Sequence, residues 1–246
     1  MTDAPSPAPS GDLPELPDDW ASALVVVAHP DDIEYGLAAA VSRWTSEGKT
    51  VRYLLVTHGE AGIDGVEPAE AAPLRAQEER DGAAEVGVDS VEFLDHHDGV
   101  VEYGLALRRD LARVIRARRP DVLLGMTHRE RFAGGGTNQS DHRAVGQALV
   151  DARADAGNRW IFPELVAEGL EPWSSGFVAL ASSPEPTHVI DVSGQLDAAV
   201  ASLEAHTRYL DGLGESAPDP RELLSGILGG GGALAGVEHA VAFEVF

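Results

Sequence analysis

The chain has 246 residues, 43% of them hydrophobic and 24% charged, a balance that suits one globular domain with a buried core. It contains no cysteine, which excludes disulfides and thiolate metal sites, so any metal must be held by His, Asp or Glu. The 41 acidic residues outnumber the 18 Lys and Arg for a net charge of −23, which argues against nucleic acids and anionic membranes as partners and favours a neutral substrate.

Residues 1–22 are rich in proline and acidic side chains and are predicted to form a disordered acidic lead-in. They lack the basic and apolar regions of a signal peptide, and no apolar run in the chain has the length of a membrane span. We therefore expect a cytoplasmic protein in which residues 23–246 form a single domain.

Strand and helix patterns alternate through the first half of the chain. Continuous apolar runs typical of strands buried on both faces are separated by patterns typical of helices. The predicted strands are 23–28, 51–56, 91–94 and 122–124, and the predicted helices are 33–47, 69–85, 103–118 and 141–155. This alternation predicts right-handed βαβ units and an α/β fold, with a Rossmann-like open, mostly parallel sheet that carries helices on both faces.

The second half has weaker patterns. Residues 129–139 predict a mobile loop, and residues 158–186, rich in Trp, Pro and Gly, predict irregular cover over the sheet. The run Gly229–Gly232 predicts a flexible loop or a second lid. Further elements are predicted as strands at 188–192 and 240–246 and a helix at 194–210.

The segment Ala28–Glu34 (AHPDDIE) directly follows the first predicted strand. Ligands of open α/β sheets bind outside the carboxyl ends of strands, so these polar residues are expected in a site. Pro30 can set a sharp turn that aims His29 away from the sheet, and Asp31 and Asp32 fall near a helix start, where the dipole favours ionised carboxylates. The structural alternative is that an Asp caps the helix and His29 bonds a backbone carbonyl.

A third ligand is predicted in the segment Thr137–Arg143 (TNQSDHR). A hydrolytic mononuclear zinc needs about three protein ligands and an open position for water. The segment follows the fourth predicted strand, so it opens at the same edge of the sheet, and Ser140 is placed to cap the helix that carries His142. A histidine at such a position is more often structural, but His29 and Asp32 at the same edge favour a ligand role.

The chain resembles the PIG-L / LmbE-like deacetylases, a family whose enzymes remove acetyl groups from N-acetylglucosamine conjugates and related amides. The family's opening motif, alanine-histidine-proline-aspartate-aspartate-glutamate, is matched by Ala28–Asp32, with Ile33 in the glutamate's place and Glu34 one position later. The family's further motifs resemble the segments Thr57–Gly62, Arg75–Glu78, Asp98-Gly99 and Ala205-His206.

The resemblance implies a metal-dependent hydrolase. His29, Asp32 and His142 would be the metal ligands, with Zn²⁺ expected and another divalent ion such as Fe²⁺ an alternative. Asp31 would be the general base, and Asp141 a carboxylate that orients a neighbouring side chain. The implied partner is a small molecule, an N-acetylated sugar or related amide.

The resemblance also implies residues that act on the substrate. Arg75 would contact it, and His206 would complete the binding site. The family often has a histidine where this chain has Gln139, which can donate a hydrogen bond to an oxyanion but cannot deliver a proton. Either Asp31 then serves as both base and acid, or another residue, such as His206, completes the site.

Two other interpretations stay open at this point. Gln139 would also suit a degenerate member that binds metal and sugar without turnover. A nucleotide-sugar transferase could use Asp31 and Asp32 around a metal, but the sequence has neither a glycine-rich phosphate loop nor a basic cluster near the strand ends. The amine that carries the acyl group and the oligomeric state have no recognisable signature.

Overall fold

The strands form a mixed sheet, seen in a computed structural model that describes residues 13–214 and 217–246. They are β1 (Ser22–Val27), β2 (Thr50–Leu55), β3 (Val91–Phe93), β4 (Val122–Met126), β5 (Val178–Ala181), β6 (His188–Asp191) and β7 (Ala240–Val245). Their order is β3-β2-β1-β4-β5-β7-β6. Neighbouring strands are parallel except where β7 pairs antiparallel with β5 and β6.

Helices cover both faces of this sheet. They are α1 (Asp32–Gly36), α2 (Ala38–Ser46), α3 (Pro68–Glu85), α4 (Leu105–Arg118), α5 (Ser140–Gly157), α6 (Pro163–Ala167), α7 (Leu196–Glu204), α8 (Thr207–Gly212) and α9 (Pro220–Ala235). Side chains alternate along β1, so that Val25 and Val27 pack with α2, α7 and α9, whereas Leu24 and Val26 pack with α4 and α5 on the other face. The predicted α/β fold is confirmed.

The strand order positions a site between β1 and β4. The chain runs outward from β1 through β2 to β3, and then returns to place β4 on the other side of β1. Such a reversal is a topological switch point, where the loops after two adjacent strands part and leave a crevice outside their carboxyl ends. The segments that follow Val27 and Met126 meet at this crevice.

Two predicted helices are each divided. The helix predicted at 33–47 breaks at Leu37 into α1 and α2, and the one predicted at 194–210 breaks at Ala205-His206 into α7 and α8. None of the helices formed by the described residues is both long enough and apolar enough to cross a bilayer.

The prediction of irregular structure for residues 158–186 was wrong in two places, because helix α6 and strand β5 both lie there. Strand β5 is fully buried between β4 and β7. Its four residues, VALA, are too few to show a period and contain two alanines, so the sequence carries little strand signal. Pairing on both sides and complete burial decide the conformation instead.

The prediction of a loop at Gly229–Gly232 was also wrong, because this run lies inside helix α9. A Cβ at Gly231 would lie 2.1 Å from the carbonyl oxygen of Ala240, and one at Gly232 would lie 2.5 Å from that of Glu238. The missing side chains let the helix pack directly on backbone at the start of β7. This close approach offsets a helix-propensity cost of about 1 kcal/mol per glycine.

We expect Gly231→Ala to lower the free energy of unfolding by about 1–3 kcal/mol, because the added methyl must displace backbone. Gly230→Ala is the matched control, since a Cβ there meets nothing within 4 Å. It should raise stability by up to about 1 kcal/mol through better helix propensity. Urea unfolding of the two variants checks this, and equal effects would contradict the packing account.

Part of the predicted lead-in packs against the sheet. Leu16 and Trp20 are buried, and the backbone N–H of Leu16 donates to the carbonyl of Val189 in β6. Residues 13–21 are therefore ordered rather than disordered, because two large apolar side chains find partners in the core. Residues 1–12 of the lead-in lie outside the described residues.

Candidate active site

The three predicted metal ligands lie together at the crevice. His29 follows β1, Asp32 begins α1, and His142 is in the first turn of α5. Nε2 of His142 is 2.9 Å from Oδ1 of Asp32 and 3.2 Å from Nδ1 of His29. All three side chains are buried, and one ligand atom from each lies within 4.8 Å of the others.

The backbone fixes the carboxylate of Asp32. Its Oδ2 accepts hydrogen bonds from the N–H groups of Ala28 at 3.1 Å and His29 at 2.9 Å, which leaves Oδ1 facing His142. Burial raises the pKa of Asp32, but the adjacent His142 and His29 lower it well below its usual value. The carboxylate is therefore ionised, as a metal ligand must be.

Asn138 determines which nitrogen of His142 carries the proton. Its Nδ2 donates to the carbonyl oxygens of Thr127 at 2.8 Å and Arg129 at 2.9 Å. Its Oδ1 therefore faces Nδ1 of His142, at 3.0 Å, and must accept a hydrogen bond from it. Nε2, the other ring nitrogen, is directed towards Asp32 and His29.

Two carboxylates hold the far side of the His29 ring. Its Nε2 is 3.2 Å from Oδ1 of Asp98 and 3.3 Å from Oδ2 of Asp141. Burial lowers the pKa of His29, but Asp32 and hydrogen bonds to Asp141 and Asp98 raise it to about 12. A cation at Nδ1 would take the place of one proton, while Nε2–H continues to donate to the carboxylates.

The side chain next to the carboxylate of Asp141 is therefore that of His29. The carboxylate of Asp141 also accepts hydrogen bonds from the backbone N–H groups of Gly99 at 2.8 Å and Val101 at 3.2 Å, which fix its position. Asp98 was not among the residues predicted for the site. The Asp98-Gly99 turn was the feature of the sequence that could have indicated it, because the turn brings both a carboxylate and an N–H donor to the crevice.

Asp31 lies beside this cluster in an unusual backbone conformation, with φ 94° and ψ −23°. Among residues other than glycine, Asp and Asn tolerate this region best. The N–H of Asp31 donates to Oε2 of Glu79 at 3.2 Å, and Oδ2 lies 3.2 Å from Nη2 of Arg75. Burial raises the pKa of the Asp31 carboxyl to about 6, although Arg75 acts to lower it.

Arg75 lies behind Asp31, with a side chain only 3% exposed. It donates hydrogen bonds to the carbonyl oxygens of Gly59 and Pro30, and its guanidinium is 4.4 Å from the centroid of the Tyr209 ring. Together with the ion pair to Asp31, these contacts hold the loop that carries Asp31. The contact of Arg75 with substrate stays a prediction.

His206 is fully buried at the start of α8, and its part in substrate binding stays a prediction. Gln139, in contrast, is exposed at the N-terminal cap position of α5, three residues before His142. Ser140 is the first residue of α5 rather than its cap, and no side chain caps this helix.

Comparisons with known proteins identify the family of this chain. The family model described as PIG-L, GlcNAc-PI de-N-acetylase, matches residues 24–153. The diacetylchitobiose deacetylase of Thermococcus kodakarensis is 31% identical over 194 residues, which cover 76% of this chain and 70% of that protein. The 1D-myo-inositol 2-acetamido-2-deoxy-alpha-D-glucopyranoside deacetylase 2 of Saccharopolyspora erythraea is 28% identical over 176 residues, 61% of each chain.

A solved structure extends the likeness to the whole fold. The N,N'-diacetylchitobiose deacetylase from Pyrococcus horikoshii superposes with a TM-score of 0.83, covering 93% of this chain and 84% of that one, at 22% sequence identity. The matched family model contains both segments that build the crevice, from His29 to Asp32 and from Asn138 to His142. The chain therefore belongs to the PIG-L family of GlcNAc-PI de-N-acetylases.

Proposed function

We propose that the protein is a metal-dependent N-deacetylase that hydrolyses the acetyl amide, or another acyl amide, of an N-acetylglucosamine-type conjugate. The convergence of His29, Asp32 and His142, with the carboxylate of Asp31 alongside, carries this proposal. The two curated relatives support the substrate class, because one is named a deacetylase of diacetylchitobiose and the other of an acetamido-glucopyranoside.

The donor set suits a divalent metal. Two imidazole nitrogens and one carboxylate, in a chain without cysteine, match zinc and would also hold Fe²⁺. Asn138 and Asp141 each bond the far nitrogen of a histidine, which is how ligating rings are commonly oriented. When bound, the metal would supply Lewis-acid chemistry, polarising the amide carbonyl and lowering the pKa of water.

The residues of the chain provide the proton transfers. The Asp31 carboxylate would accept a proton from the attacking water and then deliver it to the departing nitrogen, so that acetate and a free amine leave. The hydrogen bond to Glu79 and the ion pair with Arg75 hold Asp31 for this task. The exposed amide of Gln139 would donate a hydrogen bond to the developing oxyanion.

The direct test is amine release from a panel of N-acetylglucosamine conjugates. Purified protein would be stripped with a chelator and assayed before and after zinc is restored. We expect release only from the metal-loaded protein. Metal-loaded protein that releases no amine from any member of the panel would favour the degenerate binding protein over the enzyme.

We expect Asp141→Asn to weaken metal binding by about 10–100-fold, because the amide is a poorer acceptor for Nε2–H of His29. Asp151→Asn removes the same charge from the same helix, where Asp151 bonds only the hydroxyl of Tyr103, and serves as the control. Zinc affinity measured by competition with a chromophoric chelator checks the difference. Equal affinities in the two variants would show that Asp141 does not act through His29.

A further inference from the structure

A second group of ionisable side chains lies behind Asp31, outside the cluster of proposed ligands. Glu34 comes from α1, Glu79 from α3 and His206 from the start of α8, and each is at most 1% exposed. Nε2 of His206 is 3.6 Å from Oε2 of Glu34 and 3.8 Å from Oε2 of Glu79. Three helices thus bring two carboxylates and an imidazole to one point inside the protein.

Several polar atoms of this group are unpaired. Oε2 of Glu34, Oε1 of Glu79 and both ring nitrogens of His206 have no hydrogen-bond partner among residues 13–214 and 217–246. The hydroxyl of Tyr53, which is fully buried, is unpaired as well. A buried polar group without a partner costs about 1–3 kcal/mol, and a charged one costs more. One species that bonds several of these atoms at once would remove most of that cost.

The types of side chain point to a cation as that species. Carboxylates and imidazoles are the groups that divalent cations such as zinc bind in proteins, and one ligand atom from each of Glu34, Glu79 and His206 lies within 4.8 Å of the others. The nearby Arg75 is already paired with Asp31. A single proton would join only two of the three groups, whereas a cation can bind all three.

The spacing of the atoms also fits a metal ion. In a tetrahedral zinc site with bonds of about 2.0–2.2 Å, ligand atoms lie about 3.3–3.6 Å apart. The two distances from His206 are close to this range and too long for hydrogen bonds. The other oxygen of Glu34 accepts from the hydroxyl of Ser202 at 2.9 Å, which orients that carboxylate.

We propose that Glu34, Glu79 and His206 form a second, buried site for a divalent cation, separate from the site of His29, Asp32 and His142. Its role is structural, because no substrate can reach it. Oε2 of Glu79 also accepts the N–H of Asp31, so an ion bound here would help to hold the left-handed turn at that residue.

The test is the metal stoichiometry of the full chain and its variants. Each protein would be dialysed against micromolar zinc with excess magnesium, which masks weak sites on the acidic surface, and its metal content measured by mass spectrometry. We expect two equivalents of zinc in the unaltered protein, one in His142→Ala, one in Glu79→Gln and none in the double variant. Glu78→Gln is the control, since this neighbouring buried carboxylate bonds the backbone N–H of Arg208 instead, and it should retain two.

The outcomes separate the two sites. One equivalent in the unaltered protein and none in His142→Ala would overturn this inference and leave the proposed catalytic site intact. One equivalent in both proteins and none in Glu79→Gln would support it and contradict the catalytic site. Should Glu79→Gln not fold, zinc must still raise the melting temperature of His142→Ala and a chelator lower it, and no response would overturn the inference.

Discussion

Replacing Asp31 by asparagine is expected to lower kcat by about 10²–10⁴-fold while the content of bound metal stays the same, because a general base contributes about that factor. Asparagine has the shape of aspartate and tolerates the left-handed φ of 94° at this position, so the backbone has no reason to move. Alanine would remove the carboxylate and also add strain, which would mix two causes.

The comparison for Asp31→Asn is Asp95→Asn, which removes the same charge from a fully exposed side chain after β3. It should leave kcat and KM unchanged. A small loss of kcat in Asp31→Asn, with metal content equal to that of the unaltered protein, would remove Asp31 from the proposed mechanism. The exposed Gln139 would then be the next residue to test, as a hydrogen-bond donor to the oxyanion.

Replacing His142 by alanine is expected to abolish measurable deacetylation, a loss of about 10³-fold or more. The Lewis-acid contribution of a metal is worth several kcal/mol, and each 1.36 kcal/mol is a factor of ten in rate. Loss of a ligand should also weaken metal binding beyond the about 10–100-fold that loss of an orienting hydrogen bond costs. Metal titration and amine release measured on the same preparation check both effects.

His97→Ala provides the control for this variant, because His97 precedes Asp98 on the loop after β3 and its side chain is 89% exposed. It should retain full activity. If His142→Ala instead kept its activity at saturating metal, the third ligand would have to come from another group at the crevice. An ion held through Nε2 of His29 by Asp98 and Asp141 would then be the alternative, since both carboxylates lie within 3.3 Å of that nitrogen.

The sequence indicated where the crevice lies, because the proposed ligands fall in two short segments, each in the connection from a buried parallel strand to the helix after it. The position after a parallel strand is enough to bring His29 and His142 to one edge, whatever the rest of the chain does. The orienting contacts of Asn138 and Asp98 were not predictable in this way. They depend on the rotation of side chains about positions that the topology brings only roughly together.

Burial is the feature of Arg75 and His206 that the sequence did not indicate. The family resemblance assigned both to substrate binding, whereas the structure encloses Arg75 beside Asp31 and His206 near Glu34 and Glu79. The predictions for the glycines of α9 and the short strand β5 were wrong. In both cases long-range packing decides the conformation, and local composition indicates a loop.

The separation of His29 and His142 along the chain has a consequence for the stability of the folded protein. The two residues are 113 positions apart, and β4 with the segment after it must dock beside β1 before they meet. An ion bound by both would tie distant parts of the chain together, as a disulfide does in proteins that contain cysteine. The free energy of unfolding would then depend on the concentration of free metal. It would be about 4 kcal/mol higher at a metal concentration a thousand times the dissociation constant than in the absence of metal.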